Sequence, residues 1–282
     1  MESGRLRPAR LVYMGELWNL LLFHPFVNAL ILLYKVIGNF GVAIILLTII
    51  LRIVLTPLTL PSMKAAKEMA ELAPELEKLK KKYGQDKQKL AQAQMDFYKQ
   101  KGINPAAGCL PQIIQIVILI ALYQAFAQVL QANGDVSAKL NELLYPALKL
   151  SPGSQINLSF LYLNLGKPDM FNYNGIPLPG IFLLLAALTQ FLSSKMMQPQ
   201  VKKEEAVSAE TAEKTDDLAA SMQGQMLYMF PLMTLIIGFS FPSGLVLYWF
   251  VFSAFQLVQQ YFISGWGGLL PWVEKLKRKM VK

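Results

Sequence analysis

The sequence predicts an all-α integral membrane protein with a five-transmembrane-helix core, a cytoplasmic helical hairpin and an N-terminal interfacial helix. Hydrophobic residues make up 54% of the 282-residue chain and charged residues only 16%, and the mean hydropathy is +0.37. Soluble domains carry roughly 25% charged residues, so this composition does not fit a soluble globular fold. Apolar runs of about 20 residues also recur, and this is the length that a helix needs to cross the hydrocarbon core.

Residues 1–38 contain a basic tail and an apolar segment, 17–37, which is interrupted by polar residues and by Pro25. We expect this segment to lie in the membrane interface as an amphipathic helix. The arginines of the tail instead favour a cytoplasmic N-terminus, and residues 17–37 would then form a sixth span. Five spans are preferred, and six remain the alternative.

The first predicted span, 39–60, leads into a polar segment, 61–104, that contains ten lysines. Apolar residues in this segment recur every three or four positions, which is the helical period. Gly84 is a predicted helix end and Asp86 a predicted N-cap. We therefore expect a hairpin of two amphipathic helices joined near Gly84. For most of its lysines, taken singly, solvation is a sufficient explanation.

The remaining spans follow from apolar runs separated by polar segments. The second span is predicted to begin with Asn104 as its cap and Pro105 at its first position. Lys and Arg accumulate on the cytoplasmic side, so the hairpin and the basic C-terminal tail are predicted to lie inside. In chain order, the segments are a second span (105–130), an extracytoplasmic loop (131–176), a third span (177–197), a cytoplasmic loop (198–224), a fourth span (225–240), a fifth span (243–264) and a cytoplasmic tail (265–282).

Arg52 lies in the middle of the first predicted span, and the predicted spans contain no Asp or Glu to pair with it. An arginine at the centre of a span costs about 2.5 to 3.5 kcal/mol on insertion scales. Glu68, in the polar segment that follows, is an acid that could still approach it. The spans do contain neutral polar side chains. Taken singly, each of them is explained by ordinary contacts between packed helices. Together with an unpaired arginine, they predict a hydrated cavity that receives a transient anion.

Four stretches of the chain carry distinctive motifs: "GNFGVAIILLTIILRIVLTPLTLPSMKAAKEM", "NPAAGCLPQIIQIVILIALYQAF", "FLYLNLGKPD" and "FPSGLVLYWFVFSAFQLVQQ". They resemble the YidC family of membrane protein insertases, the bacterial branch of a group also found in mitochondria and chloroplasts. The resemblance covers about residues 17–265 in the right order. It implies five spans, an interfacial helix before the first, and a groove open to cytoplasm and lipid.

By position, the resemblance implies a substrate groove around Arg52. Hairpin lysines would help to meet the emerging substrate on the cytoplasmic side. The assignment of Gln190 depends mainly on its place in the third span. The implied groove residues are Arg52, Thr48, Gln115, Gln190, Tyr248 and Trp249, and the implied recruitment residues are Lys78, Lys80, Lys81 and Lys82.

The expected function is insertion and folding of membrane proteins in the bacterial plasma (inner) membrane, without nucleotide, cofactor or metal. The partners would be nascent membrane proteins and the lipid bilayer, with the ribosome and a Sec-type translocon as further candidates. Because the basic tail is short, strong tail-mediated ribosome binding is left open. No sequence-specific nucleic-acid contact is expected, and a monomer would suffice.

Two other function classes stay open. An anion transporter or channel could use Arg52 as its binding charge, although we find no internal repeat of the kind that transporters often show. A membrane enzyme is the weaker alternative, because His24 is the single histidine, Cys109 the single cysteine, and the spans offer no carboxylate for acid–base chemistry. We therefore expect that the protein is not an enzyme.

Overall fold

The computed structural model of the chain describes residues 15–83, 86–104, 110–130, 136–198 and 218–280. Most of these residues are helical, which confirms the predicted all-α membrane class. Among the described residues, three helices are long and apolar enough to cross a membrane: Gly15–Ile37, Phe40–Glu71 and Ser243–Ser264. Three further helices contain shorter apolar stretches: Ile113–Ala125, Ile181–Met196 and Leu227–Gly238. The predicted joint at Gly84, the first position at Pro105 and most of the 198–224 loop lie outside the described residues.

The first helix, α1 (Gly15–Ile37), contains a π-helical turn at Asn19–Phe23. It ends at Gly38, and helix α2 (Phe40–Glu71) begins directly after Asn39. The Asn39 side chain accepts a hydrogen bond from the Val42 backbone N–H, which caps α2 in the usual way. Helix α2 does not end near residue 60 but continues to Glu71, although Pro57 and Pro61 lie inside it.

The polar segment after α2 forms two short helices, α3 (Ala73–Tyr83) and α4 (Lys87–Gln100). The Asp86 side chain accepts a hydrogen bond from the Lys89 backbone N–H at 3.0 Å, so Asp86 caps α4 as the sequence predicts. This hydrogen bond lowers the pKa of the exposed Asp86 carboxyl, because it stabilises the ionised form. An ion pair between Lys101 and Glu75, at 3.0 Å, joins the two arms.

After helix α5 (Leu110–Leu130), the predicted extracytoplasmic loop is more ordered than its polar composition indicates. It contains the short helix α6 (Val136–Asn141) and two antiparallel β-hairpins, the second of which extends to Pro179, beyond the predicted start of the third span at residue 177. Their register is fixed by the pairs Phe160 with Leu163 and Phe171 with Leu178. The strands are β1 (Ser159–Phe160), β2 (Leu163–Asn164), β3 (Met170–Tyr173) and β4 (Ile176–Pro179).

The described part of the C-terminal half contains four α-helices: α7 (Ile181–Met196), α8 (Leu218–Gly238), α9 (Ser243–Ser264) and α10 (Leu270–Met280). The loop between α8 and α9 is a tight turn that Pro242 closes at the N-terminus of α9. Helix α9 packs against both α2 and α7, so it is central in the bundle.

The bundle has two distinct ends. Helices α2, α7 and α9 all begin at one end, which we call the loop end because the two β-hairpins pack there. The Phe160 ring lies so close to Gly41 that a Cβ at Gly41 would overlap it. The backbone N–H of Ser243 donates to the Lys167 carbonyl at 2.7 Å. The other end, which carries α3, α4 and α10, is the hairpin end.

Helix α1 is attached to the loop end at several points along its length. The Trp18 indole donates to the Gln124 side chain, which lies in the last two turns of α5. The buried Asn28 side chain donates to the Leu143 carbonyl and accepts from the Tyr145 backbone N–H. The partners of these two contacts lie in the last two turns of α5 and in the loop that follows it.

The N-terminus of α7 is capped by two side chains from the loop before it. The Tyr162 hydroxyl accepts hydrogen bonds from the backbone N–H groups of Ile181 and Phe182, at 3.0 and 3.3 Å. The Asp169 carboxylate accepts from the Leu183 N–H and from the Tyr162 hydroxyl, both at 2.9 Å. Asp169 is 1% exposed, so these donors take the place of water around its carboxylate, which lies at the N-terminal end of the α7 dipole. The sequence reasoning did not find this cap.

Candidate functional site

Arg52 lies on the face of α2 that is turned towards α9. Its side chain is 6% exposed, whereas the neighbouring Ile53 and Val54 are 58% and 66% exposed on the outside of the bundle. Thr48, one turn earlier, is buried on the same face, and its hydroxyl donates to the Ile44 carbonyl. Arg52 therefore faces the inside of the bundle, and apolar residues occupy the outer face of α2.

The Arg52 guanidinium packs against aromatic rings of α9. Its central carbon lies 3.8 Å from the centroid of the Phe252 ring and 5.4 Å from that of Phe255. One terminal nitrogen donates to the Phe252 carbonyl at 3.4 Å, which is a long and weak hydrogen bond. A desolvated cation–π contact contributes about 2 kcal/mol. That is more than half of the roughly 2.5 to 3.5 kcal/mol that a central arginine costs.

A chain of contacts links Arg52 to α5. The Phe252 ring that holds the guanidinium also contacts Tyr248, with the two ring centroids 5.9 Å apart. The Tyr248 hydroxyl donates to the Gln115 side-chain oxygen at 3.3 Å, and Tyr248 is almost fully buried. The structure thus brings Arg52, Tyr248 and Gln115, three of the predicted groove residues, into one connected cluster.

Two other predicted groove residues, Trp249 and Gln190, are placed differently. Trp249 is buried at the next position along α9, about 100° around the helix from Tyr248. The Gln190 side chain accepts from the Thr234 hydroxyl at 2.5 Å, so it joins α7 to α8. Gln190 therefore lies at a different helix contact from Arg52.

Several buried polar atoms in the bundle have no hydrogen-bond partner among the described residues. They belong to side chains of α2, α5, α7 and α9. Buried polar groups in folded proteins nearly always form hydrogen bonds. We therefore expect these atoms to bind water or polar groups of another molecule. The atoms are Arg52 Nε, Gln115 Nε2, Ser193 Oγ, Gln259 Oε1 and Gln260 Oε1.

Arg52 has no ion pair with any carboxylate of the described residues. Glu68 is exposed and lies further along the same helix, about 24 Å from Arg52 at 1.5 Å per residue. Glu68 is therefore not an ion-pair partner of Arg52, although the sequence alone allowed that pairing. In this conformation the guanidinium is covered by rings, and the predicted hydrated cavity stays a prediction.

A double-mutant cycle tests whether Phe252 stabilises the buried charge. We expect Phe252→Leu to destabilise the protein by about 2 kcal/mol more when Arg52 is present than in an Arg52→Met background. Unfolding of the detergent-solubilised protein, followed by circular dichroism, gives the four values. Equal effects in both backgrounds would show that Phe252 contributes only its packing.

The sequence comparisons identify the family. The profile of the family described as 60Kd inner membrane protein matches residues 32–267. A Fusobacterium nucleatum protein named membrane protein insertase YidC is 36% identical over 233 residues, which cover 83% of this chain and 90% of that protein. The chain belongs to the YidC family. Its apolar helices and this membership make it a multi-pass protein of the bacterial inner membrane.

Other YidC proteins match over most of this chain. A Bacillus anthracis protein named membrane protein insertase YidC 2 is 31% identical, over 88% of this chain and 82% of its own length. A Rickettsia bellii YidC is 30% identical over 88% of this chain but over only 39% of its own length. A YidC crystal structure with its first transmembrane domain resolved matches with a TM-score of 0.48 and 23% identity, over 92% of this chain and 48% of that chain.

The sequence analysis did not identify the residues that complete the Arg52 environment. Phe252 and Phe255 follow Tyr248 at intervals of four and three along α9, a helical spacing that could have indicated a shared face. Gln259 continues that face, and its side chain donates to the Thr56 hydroxyl at 2.6 Å. This hydrogen bond joins α2 to α9 one turn beyond Arg52.

Proposed function

We propose that this chain inserts other membrane proteins into the bilayer and helps them to fold. Its relatives from Fusobacterium and Bacillus are named as insertases, and they match most of their own length. The observation that carries the proposal is Arg52: a buried cation inside a membrane bundle, without a carboxylate partner among the described residues. Such a charge is suited to bind an acidic group of a passing substrate.

The mechanism uses the unpaired polar atoms of the bundle. Separation of α2 from α9 would break the Thr56–Gln259 hydrogen bond and open the aromatic cover of Arg52. Arg52, Gln115 and Gln259 would then offer polar partners to a translocated tail and to unpaired backbone groups of the substrate. Satisfying those groups lowers their desolvation penalty, which is several kcal/mol for each group in hydrocarbon.

The driving force comes from the substrate and the membrane. Burial of the substrate's apolar helix in lipid contributes about 25 cal/mol per Å² of apolar surface. The membrane potential adds roughly 2.3 kcal/mol per charge per 100 mV for an acidic tail that moves outwards. Nucleotide hydrolysis is not required in this scheme.

The hairpin end would face the cytoplasm, and with it the C-terminus. Lys78, Lys81 and Lys82 are exposed there, where they can meet an emerging chain, while the side chain of Lys80 lies outside the described part of the structure. A ribosome or a Sec-type translocon could deliver that chain. Helix α1 would lie in the opposite interface, because its contacts reach the loop end.

Cysteine labelling tests this topology. In a Cys109→Ser background, a cysteine at the exposed position Glu16 should react with a membrane-impermeant maleimide added to intact cells. A cysteine in place of Lys82, on the hairpin, should react only after lysis. If Glu16→Cys also reacted only after lysis, α1 would span the membrane and the protein would have six spans.

Reconstitution tests the function itself. The purified chain in liposomes should move the tail of a short single-span substrate into the lumen without nucleotide, where the tail is protected from added protease. Empty liposomes provide the control. An anion transporter using Arg52 would instead carry chloride or phosphate into the same liposomes, and anion flux without tail protection would favour that alternative.

A further inference from the structure

The last helix, α10, has one apolar face that the bundle leaves exposed. Trp272, Leu276 and Met280 are spaced by four residues and therefore lie on one side of the helix. They are 50%, 60% and 78% exposed. Large apolar side chains arranged in this way on a short helix are typical of a helix that lies in a membrane interface.

Basic residues border this apolar face on both sides. At 100° per residue, Lys275 and Lys279 lie along one edge and Lys277 along the other, while Arg278 lies opposite with Glu274. All five side chains are exposed. With four basic residues and one acidic residue, α10 has a net charge of +3. Charges at the borders of an apolar face are well placed to reach lipid phosphates when that face enters the bilayer.

The position of α10 is fixed by the turn before it. Gly267 has a backbone φ of +44°, and a Cβ there would overlap the carbonyl of Met196, the last residue of α7. The Trp272 ring then stacks on Phe191 of α7, with centroids 6.2 Å apart and an interplanar angle of 29°. Phe191 in turn contacts Tyr228 of α8, at 5.8 Å.

Phe191 and Tyr228 belong to apolar stripes on the outside of α7 and α8. Leu188 is 51% exposed on α7, and Leu232 and Ile236 are 57% and 63% exposed on α8, at helical spacing from the two rings. In a membrane bundle such outward stripes face lipid. Trp272 therefore continues the lipid-facing surface at the hairpin end, where tryptophan is favoured at the border of the hydrocarbon.

We propose that α10 binds anionic phospholipid headgroups, lying on the membrane surface with its apolar face in the acyl chains and its lysines on the phosphates. The charge of the helix selects anionic over zwitterionic lipid. A nucleic-acid surface would engage the same lysines but would leave Trp272, Leu276 and Met280 in water. The exposed apolar face therefore favours lipid. This inference does not depend on the insertase activity.

Spin labelling of the full-length protein tests the placement. In a Cys109→Ser background, a label at Leu276 should collide more with oxygen than with a water-soluble nickel chelate in vesicles of phosphatidylcholine and phosphatidylglycerol. A label at Glu274, the matched control on the opposite face, should show the reverse. Both positions are exposed, so neither label disturbs packing. A water-exposed Leu276 label would overturn the proposal, and binding of RNA by the same lysines would then replace it.

Lipid selectivity is tested with a fluorophore at Leu276. Brominated phosphatidylglycerol should quench it more than brominated phosphatidylcholine, and this preference should fall by up to about fivefold for each lysine removed in Lys277→Gln and Lys279→Gln. Lys167→Gln, a lysine at the loop end, should leave the preference unchanged. Equal quenching by both lipids, or a preference that the double substitution leaves unchanged, would overturn anionic-lipid binding.

Discussion

Arg52→Ala should lower insertion of a substrate with an acidic translocated tail roughly thirtyfold. A carboxylate about 4 Å from the guanidinium gains about 4 kcal/mol at an effective dielectric near 20. The acidic group must compete with the Phe252 ring, whose contact contributes about 2 kcal/mol. The remaining gain of about 2 kcal/mol corresponds to a roughly thirtyfold effect. Protease protection of the tail in proteoliposomes measures it.

The matched control is the same substrate with its acidic residues replaced by neutral ones. Its insertion should be much less affected, because a neutral tail makes no ion pair with Arg52. Arg52→Lys should retain an intermediate activity, since it keeps the charge but loses the planar guanidinium that stacks on Phe252. If Arg52→Ala lowered insertion of both substrates equally, Arg52 would have a structural role, and the recruitment of acidic tails would be refuted. Unchanged insertion of both would refute it as well.

Asp169→Ala should lower the free energy of unfolding by about 3 kcal/mol, the largest loss of stability among the single substitutions proposed. The buried carboxylate accepts from the Leu183 N–H at the start of α7 and from the Tyr162 hydroxyl. Alanine would leave both donors without this partner and would remove a negative charge from the positive end of the helix dipole. A hydrogen bond to a charged group contributes about 1.5 to 3 kcal/mol, and the dipole interaction adds about 0.3 to 1 kcal/mol. Thermal unfolding in detergent, followed by circular dichroism, measures the loss.

Two further variants identify the cause. Lys167→Ala changes an exposed side chain in the same loop and should leave stability nearly unchanged. Asp169→Asn keeps one acceptor oxygen but loses the charge, so its stability should lie between those of wild type and Asp169→Ala. If Asp169→Ala unfolded at the temperature of Lys167→Ala, the capping of α7 by this carboxylate would contribute little to the stability of the protein.

Local sequence patterns predicted the parts of this fold that depend on nearby residues. The Asp86 cap of α4 could be predicted because the acceptor and the donor are three positions apart. The helical period of the hairpin and the apolar runs of the spans are local in the same sense. The inward face of Arg52 also follows from sequence, because a charge flanked by Ile53 and Val54 has to turn away from lipid.

The cap of α7 could not be predicted, because its N-cap residue is Gly180, which has no side chain, and the capping groups come from 14 to 20 positions earlier in the chain. Likewise, nothing near Arg52 in sequence indicates Phe252, which is 200 positions away.

The sequence by itself determined the membrane class, the family and the presence of an arginine in an apolar segment without an acid in the predicted spans. The tertiary structure alone decided what surrounds that arginine, that Gln190 lies at another helix contact, and how α1 and α10 attach to the two ends of the bundle. The physical reason is the distance along the chain over which each interaction acts. Helical period, hydrophobicity and local capping act within a few residues, whereas ring contacts and remote caps exist only after distant helices have packed together.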